Sequence, residues 1–211
     1  MLESFDIYII LLFLIIIQSI VGVGILVIGT PALLILGINI IDTYLLLLPV
    51  SIITSSINLL ILKLGPLKFN INNEKKTIEK FFFICLPSVF LGLILLREYE
   101  SVINFKYLVS FIILFSLVLT NFLKNKFFKF QAYHLVIVGT VHGLTNSGGT
   151  LLSLFFSQDN DKNNIRYVIS FFYLFLALFQ YLIMYFIFEA KISYLLDYKL
   201  LLPLFIIGVF L

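Results

Sequence analysis

The chain has 211 residues, of which 62% are hydrophobic and 12% charged, and its mean hydropathy is +1.15. An ordinary soluble domain is about half apolar and about a quarter charged, so this chain has too few polar residues to cover a water-facing surface. Its 14 Lys+Arg against 11 Asp+Glu give a net charge of +3, confined to short loops, which excludes a nucleic-acid surface.

Charge-free runs mark the elements in chain order: Ile7–Ile41, Thr43–Leu62, Phe81–Leu96, Tyr107–Leu123, Phe130–Gln158, Tyr167–Phe188 and Leu200–Leu211. They are continuously apolar, with none of the alternation of barrel strands, so they predict helices. The expectation is an all-α polytopic protein of about seven spans, with a lipid bilayer as its main partner. MLESFDIY has no basic segment ahead of a short apolar one, so the first run reads as an uncleaved helix.

Ile7–Ile41 is 35 residues, about 52 Å as one helix, and holds Gly22, Gly24, Gly29, Pro31 and Gly37. Proline lacks an N–H and crowds the preceding turn, so a break near Gly29–Pro31 is expected. A broken membrane helix must have its freed backbone groups covered by protein or water.

The basic residues set an orientation. Crossing by crossing, Lys63, Lys68, Lys75, Lys76, Lys80, Lys124, Lys126, Lys129, Lys191 and Lys199 fall on one side. Arg97, Lys106, Lys162 and Arg166 fall on the other. The lysine-rich side is expected to be cytoplasmic, with the N-terminus on that side and the chain multi-pass in the cytoplasmic membrane.

The chain also repeats itself. LPSVFLG at Leu86–Gly92 and LPLFIIG at Leu202–Gly208 share L-P-x-x-x-x-G at an offset of 116, and Gly29-Thr30 and Gly149-Thr150 are 120 apart. Two repeats are expected, 1–125 and 126–211. The first has four helices, and the second lacks its last, since the chain stops at Leu211 inside an apolar run. An even number of spans per repeat predicts parallel repeats.

No Lys, Arg, Asp or Glu lies mid-span, so any chemistry rests on neutral groups. VHGLTNSGGT at Val141–Thr150 places His142, Gly143, Asn146, Ser147, Gly148 and Gly149 at mid-membrane depth. A helix restarting after these glycines turns free N–H groups and a positive dipole end inward, which suits an anion. Asn146 and Ser147 add donors, and His142 can carry a proton with the anion. The competing reading is close helix packing by small residues.

The first-half counterpart is GVGILVIGTP, with Gly22, Gly24, Gly29 and Pro31; it is either a ligand site or a plain kink. Ser51, Thr54, Ser55 and Asn58 share one helical face, which either lines a path or bonds between helices, and Gln180 is their nearest equivalent later in the chain. Cys85 is alone, and Asp159-Asn160-Asp161 lacks the pattern of a calcium loop, so no metal or cofactor is expected.

These features together resemble the sulfite exporter TauE/SafE family of membrane permeases. The resemblance rests on GVGILVIGTPALLILG, LPSVFLG, VHGLTNSGGTLLSLFF, the span DKNNIRYVISFFYLFLALFQYLIMYF and LPLFIIG, in that order. It implies two four-helix repeats and transport of a small anion such as sulfite or a sulfonate. It extends to Gly22, Gly24, Gly29, Pro31, Gly143, Gly148 and Gly149. The first glycine cluster is sparser than the family's usual run, and against that plan a final helix is expected to be lacking. Two alternatives stay open: a non-transporting or truncated membrane subunit, and an intramembrane enzyme using His134 and His142. Nothing in the chain signals an oligomeric state.

Overall fold

A computed structural model describes residues 4–22, 24–64, 75–123, 132–156, 162–189 and 205–206. Every described element is helical: α1 (Ser4–Val21), α2 (Ile25–Ile35), α3 (Ile40–Leu64), α4 (Lys75–Lys80), α5 (Leu86–Tyr99), α6 (Phe105–Leu123), α7 (Ala132–Thr145), α8 (Gly148–Phe156) and α9 (Lys162–Phe186). Three described helices are long and apolar enough to cross a membrane, at Ile40–Leu64, Ile78–Tyr99 and Ile165–Phe186. Lys68, Lys124, Lys126, Lys129, Lys191, Lys199, the 125/126 boundary, the Asp159-Asp161 loop and most of the second LPxxxxG segment lie outside the described residues.

The distribution of polarity is the reverse of a soluble protein's. Phe83 is 82% exposed and Phe111 65%, while Gln18, Ser51, Thr54, Asn58, His142, Asn146 and Gln180 are buried. An apolar surface around a polar interior is what a lipid solvent selects.

The rod from Lys75 to Tyr99 contains one π-helical turn at Phe81–Cys85, closed by Leu86 N–H to the Phe81 carbonyl. Pro87, just beyond, has no N–H to return to Phe83, and the wider turn accommodates its ring.

The first long run does not cross as one kinked span. Its break is at Gly22–Gly24, and α2 continues through Pro31. Gly22 has φ +86°, a conformation that favours glycine, and its N–H closes α1 on the Gln18 carbonyl at 2.8 Å. Gly24 lies against Ile17 and Gln18, and Gly29 against Leu14, so α2 runs back along α1. The Gln18 side chain holds the reversal: its Oε1 accepts from Ile25 N–H at 3.1 Å, and its Nε2 donates to Ser55 Oγ at 2.9 Å. Asn58 Nδ2 donates to the Gln18 carbonyl at 3.1 Å. The Ile25 N–H and the Gln18 carbonyl at the turn are thus paired inside the protein, as a hydrocarbon solvent demands.

Contacts also fix the other directions. Gly29 meets Leu47 while Gln18 meets Ser51 and Ser55, so α3 runs parallel to α1. One open groove joins Gly37–Ile40 to Glu100–Lys106, so α5 ends where α3 begins. In that groove Glu100 is held above the usual carboxylate range by burial and by Asp42 nearby. Phe81 lies 4.4 Å from Phe172, and Arg97 sits over Phe188 at 5.1 Å, so α5 and α9 run parallel. Gly139 meets Cys85 and Gly143 meets Val89, so α7 is parallel to α5. Gly148 packs against Val138 and His142, so α8 folds back along α7.

Both Gly-rich runs are therefore hairpins with antiparallel arms, and this corrects three expectations. The Ser4 end of α1 lies opposite the lysine-bearing end, because α1 and α2 go and return. Lys162 and Arg166 join Lys63, Lys75, Lys76 and Lys80 at the lysine end, because α7 and α8 also go and return. Each return changes the parity of the count. As a result α1–α2–α3 and α7–α8–α9 run in opposite directions, where parallel repeats were expected.

Candidate functional site

The tip of the second hairpin is Asn146-Ser147. Asn146 takes φ +60°, in the left-handed region that asparagine tolerates best after glycine, and its N–H closes α7 on the His142 carbonyl at 2.8 Å. The tip is tied locally: Ser147 Oγ donates to the Thr145 carbonyl at 3.2 Å, and Thr150 Oγ1 donates to the Ser147 carbonyl at 2.7 Å. Gly148 and Gly149 then open α8, both buried. Any side chain at Gly148 would strike His142 and the Val138 carbonyl, which is why glycine stands where α8 turns back.

This tip docks on the first hairpin. Asn146 Nδ2 donates to Thr30 Oγ1 of α2 at 3.1 Å, across 116 residues of sequence. From α9, the Tyr173 ring meets the His142 ring edge-on at 5.9 Å between centroids. The Tyr173 hydroxyl lies beside the backbone of Leu26 and Val27 in the first turn of α2, outside hydrogen-bond geometry. Four buried polar atoms here have no partner: His142 Nδ1 and Nε2, Asn146 Oδ1 and the Tyr173 hydroxyl oxygen. Buried polar groups are nearly always paired, and each one left unpaired costs about 1–3 kcal/mol. This cluster, contributed by the second hairpin and α9 and docked on α2, is the candidate functional site.

The other expected site residues fall into different settings. Gly22, Gly24, Ser55 and Asn58 belong to the first hairpin's turn, where Ser55 and Asn58 bond to Gln18. Gly29 packs on Leu14 and Leu47, and Pro31 lies within α2, half-buried. Gly143 faces α5 and not the tip. With Gly139 and with Gly92 of α5 it forms a contact in which a Cβ would strike backbone: the Val89 carbonyl from Gly143, the Cys85 carbonyl from Gly139 and the Thr140 carbonyl from Gly92. This is the small-residue packing weighed against a site role. Gln180 is fully buried with both amide atoms unpartnered, but it lies two turns beyond Tyr173 on α9, about 10 Å away.

Three residues of this geometry were not singled out from the sequence as site residues. Gln18 is the one glutamine in the first apolar run, and its capping role needs the hairpin to exist. Tyr173 is one of 11 tyrosines and sits in an apolar run with no distinguishing neighbour. Arg166 read as a loop charge, yet it donates to the Ser19 carbonyl at the first hairpin's turn. No protein-family model, curated protein or solved structure matches the chain.

Proposed function

We propose that the protein is an integral membrane permease for a small anion, with sulfite or a sulfonate as the leading substrate class. The observation that carries this reading is the set of unpartnered buried atoms of His142, Asn146 and Tyr173 at the second hairpin tip. Rotating the Asn146 amide by half a turn lets the Thr30 hydroxyl donate to its oxygen and frees both amide hydrogens for an anion. The tyrosine hydroxyl and an imidazole N–H supply two further donors. The first turn of α2 points its N–H end toward the same place, and the start of α8 lies beside the tip, so two helix dipoles favour negative charge there. His142 can take up a proton with the anion, giving the cycle a route to proton coupling.

The opposite directions of the two hairpins support alternating access. Inverted repeats around a midplane site, formed by discontinuous helices, let either end open by rocking one unit against the other. The resemblance to TauE/SafE permeases points to the same substrate class. We place the lysine end, with Lys63, Lys75, Lys76, Lys80 and Lys162, in the cytoplasm by the positive-inside rule, and the Ser4 end of α1 on the far side. The membrane is then the cytoplasmic membrane.

Reconstitution tests the reading. Purified protein in liposomes should move sulfite at least about tenfold faster than protein-free liposomes, and choline no faster than they do. Sulfite and methanesulfonate both moving at the protein-free rate would overturn it.

A further inference from the structure

A second polar cluster sits where α9 meets the turn of the first hairpin, two turns of α9 nearer the lysine end than Tyr173. The Arg166 guanidinium donates to the Ser19 carbonyl, while its Nε is buried and unpartnered. The hydroxyls of Ser19, 6% exposed, and Ser170, 0% exposed, are also unpartnered. Gly22 borders both α9 residues: a Cβ there would lie 3.1 Å from Ser170 Oγ and 3.5 Å from Arg166 Cγ. Among the described residues no carboxylate offsets the arginine's charge. A guanidinium has five N–H donors and stays charged, so a sheltered one with a free donor suits an anionic guest. The side chain is only half-buried, so it remains reachable from the lysine end.

We propose that Arg166, Ser19 and Ser170 form a second anion station, an entry site for a small oxyanion on the lysine side. This inference rests on the permease reading for its place in a transport cycle. Seven residues of α9 separate Arg166 from Tyr173, about 10 Å, so the station lies one step from the central tip. Two hydroxyls and a forked guanidinium suit the several oxygens of a sulfite or sulfonate headgroup. On entry the anion pairs with the guanidinium and the two hydroxyls, and the dipoles at the tip then compete for it. An arginine serving only to anchor the hairpin turn would need no unpartnered hydroxyls beside it.

Equilibrium binding of radiolabelled sulfite to the purified protein in nanodiscs separates the two stations. Asn146→Gly removes the central amide, keeps the left-handed turn and weakens the central station, so remaining saturable binding that depends on Arg166 and Ser170 reports the entry station. That remaining binding should weaken at least about tenfold on adding Arg166→Gln, and by less with Arg166→Lys, which keeps the charge and loses the fork. Ser170→Ala, which leaves the guanidinium in place, should weaken it about threefold. Absence of saturable binding to Asn146→Gly, or binding indifferent to both Arg166→Gln and Ser170→Ala, overturns the station. Failure of the permease reading looks different. Wild-type protein that moves no sulfite, while the Asn146→Gly variant still binds it through Arg166, removes the transport cycle and leaves the station standing.

Discussion

Gly143→Leu is expected to abolish the folded protein: no monodisperse peak on size exclusion in mild detergent and no cooperative thermal transition. The reason lies in what surrounds the missing Cβ. Gly139 and Gly143 on α7, with Gly92 on α5, bring two backbones together so closely that the blocking atoms are carbonyls of the facing helix. Overpacking that displaces only side chains costs about 1–3 kcal/mol. Here no side chain can move aside, so the helices must separate and lose the whole interface. Because α7 leads into the second hairpin, that loss reaches the tip as well. Gly143→Ala should show the same defect in weaker form. A leucine variant with the wild-type melting profile would mean that α7 does not lie against α5.

The largest functional effect is expected at Asn146. Asn146→Leu removes the amide and also forces a leucine into the left-handed region, at about 1–2 kcal/mol. Asn146→Gly separates these effects, since glycine adopts φ +60° freely. A hydrogen bond to a charged group is worth about 1.5–3 kcal/mol, so sulfite flux through Asn146→Gly should fall about 10- to 100-fold. Its melting temperature should stay near that of wild type. Flux through Asn146→Leu should fall at least as far, with some loss of stability. Undiminished flux in the glycine variant would remove Asn146 from the site.

Much of this arrangement could be read from residues alone, and the part that could not has a definite cause. Continuous charge-free runs led to membrane helices, and the cluster His142, Asn146, Ser147 led to the second tip, because a polar group in an apolar run is costly without a purpose. Glycines marked where α1 and α7 stop, but a glycine at positive φ serves a kink and a reversal equally well. The choice depended on distant partners: Gln18 reaching Ile25 N–H, and Asn58 covering the Gln18 carbonyl. Treating each Gly-rich run as one crossing then put the N-terminus, Lys162 and Arg166 at the wrong ends and made the repeats parallel. Pro31 was expected to break its helix, but the break came at Gly22, whose φ is +86°. Gly143 looked like part of the site because it stands beside His142 in sequence. One residue along a helix is a rotation of about 100°, which turns Gly143 toward α5.

The most direct test of the central claim, that the second hairpin tip holds unpaired polar atoms for an anion's sake, is His142→Phe. Phenylalanine keeps a ring that can meet Tyr173 edge-on and removes two buried nitrogens that have no partner. If those nitrogens serve a guest, their removal stabilises the empty protein and disables it. Thermal stability and sulfite flux should be measured on the same preparation. The expected result is a melting temperature several degrees higher, from relief of about 1–3 kcal/mol, with flux at least about tenfold lower. A variant that melts lower than wild type and moves sulfite at the wild-type rate would contradict the account.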